Sequence, residues 1–174
     1  MKTKAQTLVI ALAMLATLTI GSSMASGQNK EDKQAIASSQ DEQGNDLVGV
    51  WEEVAPATID CVTRQPNGPV INVLYTFNQG GTMYVEDTLP VDRNRTTGGG
   101  IWKRTSGRNY VYVNSHYAFD PNGTFLFTIK QRSNVRLSRD GNSFTENGTF
   151  EAVAPNGDVL FSGCFAATAH RMTF

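Results

Sequence analysis

The chain is poor in the residues from which metal centres and thiol chemistry are built, with two histidines and two cysteines in 174 residues. Neither His116 nor His170 stands in an H-x-H or H-E-x-x-H spacing, so a ligand set is missing and no metal is expected. There is no C-x-x-C pair, which argues against a redox or zinc-ribbon reading of the cysteines. No G-x-S-x-G elbow, P-loop or dinucleotide fingerprint occurs, and no cofactor is expected. A surplus of one charge is also missing, since 15 basic residues face 16 acidic ones. That balance offers no electrostatic footprint for nucleic acid or an anionic membrane. The one long apolar run, residues 5–20, falls short of the roughly 20 apolar residues a spanning helix requires and is interrupted by Gln6 and several threonines.

That run sits behind Lys2 and Lys4 and ahead of the small residues Ser23-Met24-Ala25, the layout of a secretory signal peptide over 1–25 with cleavage near Ala25. A secreted or periplasmic protein without a membrane span in its mature chain is the expectation. Without Lys2 and Lys4, 13 basic residues remain against 16 acidic, a net charge of −3. Residues 26–46 carry almost no large apolar side chain and are expected to form a polar tail that cannot bury enough surface to fold. A single domain over 47–174 follows. In an oxidising compartment Cys61 and Cys164 are expected to pair, closing a loop of about 100 residues.

From Leu47 onward the texture is short alternating apolar runs separated by Gly, Asn, Asp and Pro, the pattern of an all-β domain. Eight strands are predicted, at 47–54, 70–78, 82–88, 99–105, 109–119, 124–138, 142–153 and 158–172. Short connectors such as Asp120-Pro121-Asn122-Gly123 and Asp140-Gly141 make sequential strands antiparallel neighbours. Gly98-Gly99-Gly100 reads as a flexible rim loop. A type I turn with a glycine bulge at residues 120–123 places Ser115, Tyr117 and Phe119 on one face with Phe125, Phe127 and Ile129. A two-residue turn at Asp140-Gly141 sets Leu137 opposite Phe144 and Val135 opposite Glu146, continuing that face. An eight-stranded antiparallel up-and-down barrel removes the two exposed edges of such a meander and lets the cysteines staple the seam. A two-sheet sandwich is the alternative.

With Gly49-Val50-Trp51 on the first strand and Arg171 at the end of the last, the chain resembles the lipocalins and the wider calycin-type barrels. The resemblance implies that Trp51 lies across the closed end of the barrel against Arg171, and it suggests a minimal, secreted bacterial form. There is no T-D-Y triplet of the kind many lipocalins carry, and ligand identity does not transfer.

The residues expected to point inward include Tyr75, Phe77, Val85, Trp102, Val113, Tyr117, Phe125, Phe127, Ile129, Phe144 and Phe150. They form either a solid core or the walls of a pocket. Of the polar residues on the same faces, Arg104, Ser115, Gln131, Ser133 and Glu146 need partners or a purpose. Ligand-binding candidates are therefore Tyr75, Trp102, Tyr117, Phe127, Gln131, Phe144 and Glu146, with a small apolar molecule as the partner class. Glu146 and Arg104 are the catalytic candidates if the barrel is an isomerase or cyclase, by analogy with allene oxide cyclase-like barrels. A structural role for Glu146, in an ion pair with Arg104 or in hydrogen bonds to its neighbours, is the plainer reading. A third class, an interaction module, is suggested by an outward row of Tyr110, Tyr112 and His116.

Overall fold

A computed structural model describes residues 46–88 and 94–174. The expected signal peptide and residues 26–45 of the expected polar tail lie outside the described residues. The described chain is all-β: β1 (Gly49–Pro56), β2 (Val70–Phe77), β3 (Thr82–Asp87), β4 (Asn94–Arg95), β5 (Gly98–Ser106), β6 (Asn109–Phe119), β7 (Phe125–Leu137), β8 (Ser143–Val153) and β9 (Val159–Arg171). All pairings are antiparallel. β1 pairs with β2 and with β9, and β6 pairs with β7, so eight strands close into an up-and-down barrel. The two-residue β4 continues the line of β5 along β6, offset by one residue. Among the described residues no helix is long and apolar enough to cross a membrane.

One end is sealed by side chains that alternation turns inward. Trp51, Phe77, Met83, Tyr110, Leu137 and Phe144 are almost fully buried there, and the Trp51 and Phe144 rings meet edge to face at 5.0 Å. Trp51 lies opposite Arg171 in the β1–β9 ladder, and the guanidinium sits 4.2 Å from the centre of the indole. The same guanidinium donates to the carbonyls of Gly141, Val48 and Asp46, while the indole N–H donates to the carbonyl of Leu47. Gly49 completes this arrangement: its φ is +139°, and a Cβ there would lie 2.6 Å from Arg171 Nη1. Only glycine fits. The expected pairing of Cys61 with Cys164 is present, with Cα atoms 5.3 Å apart, and the adjacent Ile59 N–H donates to the carbonyl of Cys164.

The β7–β8 register agrees with expectation, with Leu137 opposite Phe144 and Val135 opposite Glu146. Along β6 the faces are reversed. The turn at Asp120–Gly123 forms as expected, with Asp120 N–H donating to the Thr124 carbonyl and Gly123 at φ +84°. The ladder then slips by one residue: Phe119 faces Phe125, but Ala118 faces Phe127. This bulge at Leu126 turns Tyr110, Tyr112, Asn114, His116 and Ala118 inward, while Val113, Tyr117 and Phe125 are exposed. The outward row of Tyr110, Tyr112 and His116 does not exist, and the interaction-module reading loses its basis. Gly98, Gly99 and Gly100 belong to β5 rather than to a loop.

Replacing Gly49 with Ala is expected to cost roughly 2–4 kcal/mol by straining the positive φ and displacing Arg171, read as a drop in the urea midpoint. Cys164→Ser is expected to lose about 2–4 kcal/mol, equalled by adding reductant to the unsubstituted protein. If reductant left the midpoint unchanged, the staple would not contribute to stability.

Candidate functional site

The interior above the aromatic seal is not apolar. Alternation on β1 from the inward Trp51 brings Glu53 inside, and alternation on β8 from Phe144 brings in Glu146. Both are buried. The Glu146 carboxylate accepts from Tyr75 Oη at 2.8 Å, Tyr112 Oη at 2.7 Å and Ser133 Oγ at 3.1 Å. Donors from three other strands thus converge on one anion, as a buried charge requires.

Glu53 shares a hydrogen bond with Glu146. Burial, the neighbouring Glu146 charge and that hydrogen bond push the Glu53 pKa up to about 9. Burial also raises Glu146, but the hydroxyls of Tyr112, Tyr75 and Ser133 oppose the rise. Nothing opposes the rise at Glu53, whereas three hydroxyl donors favour the charged form of Glu146, so Glu53 is the member held protonated at neutral pH and donates to Glu146. Burial and the Glu146 charge keep the Tyr75 and Tyr112 phenols protonated as donors. The second oxygen of Glu53, Oε2, is buried and has no hydrogen-bond partner among the described residues.

Toward the other end of the barrel, β6 adds Asn114 and His116. His116 lies against Arg95, 3.0 Å from Nη1 to Nε2, and Arg95 forms an ion pair with Asp87. Burial and the Arg95 charge depress the His116 pKa to about 4, so the ring is neutral and carries its proton on Nδ1. Both side-chain polar atoms of buried Asn114 lack a partner among the described residues. The apolar residues at this end, Phe127, Ile129, Ala118 and Ala152, form a second, smaller cluster.

A cavity of about 30 Å³ lies beside Glu53. That is space enough to hold a water molecule. Its polar lining comes from Glu53, Tyr75, Asp87 and Gln131, and its apolar walls include Ile71, Val85 and Phe165. The cavity adjoins an interruption in the barrel seam, because β1–β9 pairing stops at Glu53 opposite Ala169 and resumes only at Ile59 opposite Cys164. Pro56 and Ala57 on one side and Ala166 and Ala167 on the other line it there. Proline cannot donate to a ladder, which accounts for part of the gap.

Of the residues singled out from sequence, the structure gathers Tyr75 and Glu146 in one hydrogen-bonded group, with Gln131 in the lining of the adjoining cavity. Phe127 lies in the smaller cluster, while Phe144 and the half-buried Trp102 belong to the sealed end, where Trp102 donates to the carbonyls of Asn78 and Thr82. Tyr117 is exposed and packs on Phe125. Arg104 sits at the sealed end, donating to Tyr110 Oη at 2.7 Å and standing 3.6 Å from Asp46, so of the two structural roles expected for Glu146 the hydrogen bonds to neighbours form and the ion pair with Arg104 does not. Sequence reasoning missed Glu53, although the period of two from Trp51 marks it as inward. Among the described residues no group of three or more His, Cys, Asp or Glu side chains could hold a metal ion.

A scan against protein-family models and searches of curated proteins and of solved structures find no match to this chain.

The raised Glu53 pKa sets a sign for stability against pH. Below the unfolded carboxyl value of 4.5 both states are protonated and nothing is lost; as pH rises toward about 9 only the unfolded state ionises, so stability falls across that window. Glu53→Gln is expected to stabilise the protein by roughly 2 kcal/mol at pH 7 and by little at pH 4, measured by urea midpoints across pH 4–9. Equal shifts at both pH values would show that Glu53 is not held protonated.

Proposed function

We propose that the protein is a secreted or periplasmic binding protein for a small, largely apolar molecule, taken into the half of the barrel opposite the Trp51 seal. The observation that carries this reading is the cavity beside Glu53, where the polar residues Glu53, Tyr75, Asp87 and Gln131 stand among walls that include Ile71, Val85 and Phe165. Polar groups placed sparsely in apolar walls are what ligand sites present. The closed eight-stranded barrel is compatible with a lipocalin-like fold, in which such sites are internal. The disulfide supports an oxidising compartment.

The cavity volume narrows the geometry of binding. About 30 Å³ admits a head group and no more, so the body of the ligand would lie outside the cavity, at the break in the β1–β9 seam beside it. A ligand engulfed along the whole barrel axis is not supported, because the sealed end is packed with aromatic rings.

A second reading, an isomerase or cyclase, draws on the carboxyl pair itself. A protonated Glu53 hydrogen-bonded to Glu146 could give its proton to one atom of a substrate and the pair could take a proton back from another, ending with the proton count it began with. In that reading Glu53 and Glu146 share the proton transfer, and Arg104 has no part in it.

The test is to titrate isotopically labelled protein with small-molecule extracts of the producing cells and follow backbone and methyl resonances. Shifts are expected at Ile71, Val85, Gln131 and Phe165, with Trp51 and Phe144 unmoved, and native mass spectrometry should show the retained mass. An absence of shifts at the cavity walls would defeat the binding reading. Turnover of a bound compound that Glu53→Gln abolishes would favour the enzyme.

A further inference from the structure

The chain is close to balanced in charge, but the outer wall of its barrel is not. Strands β1, β2 and β3 contain no lysine or arginine, and alternation turns Glu52 and Glu86 outward on them. Strands β5, β6 and β7 contain no aspartate or glutamate, and turn Lys103, Lys130, Arg132 and Arg136 outward. Around the eight-stranded barrel β7 lies four strands from β2 by either route, so the acidic and basic walls are on opposite sides. Glu151 of β8, opposite Lys130, bounds the basic wall.

The two walls also match in spacing and shape. Glu52, Leu74 and Glu86 are direct cross-strand neighbours, with the leucine exposed between the carboxylates. Two strand spacings set those two positions about 10 Å apart. Thr97 Oγ1 donates to Glu86 at 2.9 Å and helps to orient its carboxylate. A groove of about 390 Å³ opens on this wall, lined in part by Glu52, Val54, Asn72, Leu74, Glu86 and Thr88. On the basic wall Lys103 lies opposite Val111 and Arg132 opposite Val113, so these cations too stand two strands apart with aliphatic side chains between them. Val113 is exposed beside the exposed Ile101, its partner on β5.

Two acidic walls repel one another, and so do two basic ones; an acidic wall against a basic one sets charge on opposite charge and aliphatic on aliphatic. We propose that the protein associates with further copies of itself, the β5–β7 wall of one copy seated in the β1–β3 groove of the next, with Lys103 and Arg132 facing Glu52 and Glu86 and Val113 against Leu74. Different surfaces meet in this contact, so a pair of copies leaves one acidic and one basic wall free. Because those walls lie on opposite sides, copies add in a row and do not close as a dimer. The contact uses the sides of the barrel and stands whether or not the cavity takes a ligand.

The experiment is sedimentation velocity of the purified protein from about 10 to about 300 µM, a range suited to a small and weak interface. At about 10 mM salt the average mass is expected to climb past that of a dimer with concentration, and at about 500 mM salt to return to that of the monomer. Glu52→Gln with Glu86→Gln is expected to remain monomeric at low salt, as is Lys103→Gln with Arg132→Gln. All four side chains are exposed, so neither double variant should lower the thermal midpoint. An equimolar mixture of the two variants has one intact acidic and one intact basic wall per pair, and is expected to form dimers and nothing larger. A monomer at every concentration in low salt would overturn the proposal, as would a self-association that ends at the dimer. Undiminished association in either variant, or a mixture that stays monomeric, would overturn it too. The salt dependence is read on the unsubstituted protein and decides the matter even where a variant folds poorly.

Discussion

The Arg171 guanidinium is the point at which the barrel is held closed. An eight-stranded meander becomes a barrel only if its first and last strands pair, and here the ladder between β1 and β9 near the sealed end is three residue pairs long. Three pairs are little to hold a seam. Arg171 supplements them by binding the carbonyls of Asp46 and Val48 just before β1 and of Gly141 in the β7–β8 turn, and its flat face covers Trp51. A planar cation with five donors suits that task, because it satisfies carbonyls around its edge while stacking on an aromatic ring. Trp51 in turn packs on Phe144 of β8, so the clamp is continuous with the aromatic seal. The G-x-W pattern is explained by the same contact: the tryptophan supplies the surface, and glycine leaves the space that the guanidinium occupies.

The other end of the seam is held by different means, and the difference creates the cavity. The Cys61–Cys164 bond and the single Ile59–Cys164 bridge fix the strands again only beyond an unpaired stretch. Between the two anchors Pro56, Ala57, Ala166 and Ala167 bring little side-chain volume. Space therefore persists beside Glu53 because the seam is closed at both ends and poorly filled between them. The disulfide and the clamp permit this arrangement, since neither depends on continuous β1–β9 pairing.

How much of this was legible in the sequence can be argued from particular strands. The β7–β8 hairpin was readable because the Asp140-Gly141 turn and the apolar pattern are independent and agree on Leu137 opposite Phe144. The seal was readable from the G-x-W and Arg171. On β6 the turn was read correctly and the face was still wrong, because a bulge at Leu126 follows the turn and inverts every later residue. Composition misled there as well: Val111, Val113 and Tyr117 make a more apolar face than Tyr112, Asn114 and His116. The inward orientation brings the Tyr112 hydroxyl to the Glu146 carboxyl, a partner the outward one would not supply. The inward Glu53 was within reach, given only the alternation from Trp51. The size of the cavity was not, since it depends on where the seam ladder breaks, and no local pattern encodes that.

The carboxyl pair gives the interior its functional character for an energetic reason. Two buried acids cost stability at any pH where the unfolded chain would ionise both, and apolar residues of similar shape would commonly be at least as stable. Burial of Glu146 alone would be met in full by Tyr75, Tyr112 and Ser133. Glu53 is the member that structure does not require, for it satisfies one oxygen through Glu146 and leaves the other buried without a partner among the described residues, and the residue also lines a cavity in the barrel interior. Deletion of an unneeded buried carboxyl is among the easiest stabilising changes for a sequence to find. Its retention beside a cavity, within a barrel sealed at the other end, is a cost that the demands of folding alone do not explain.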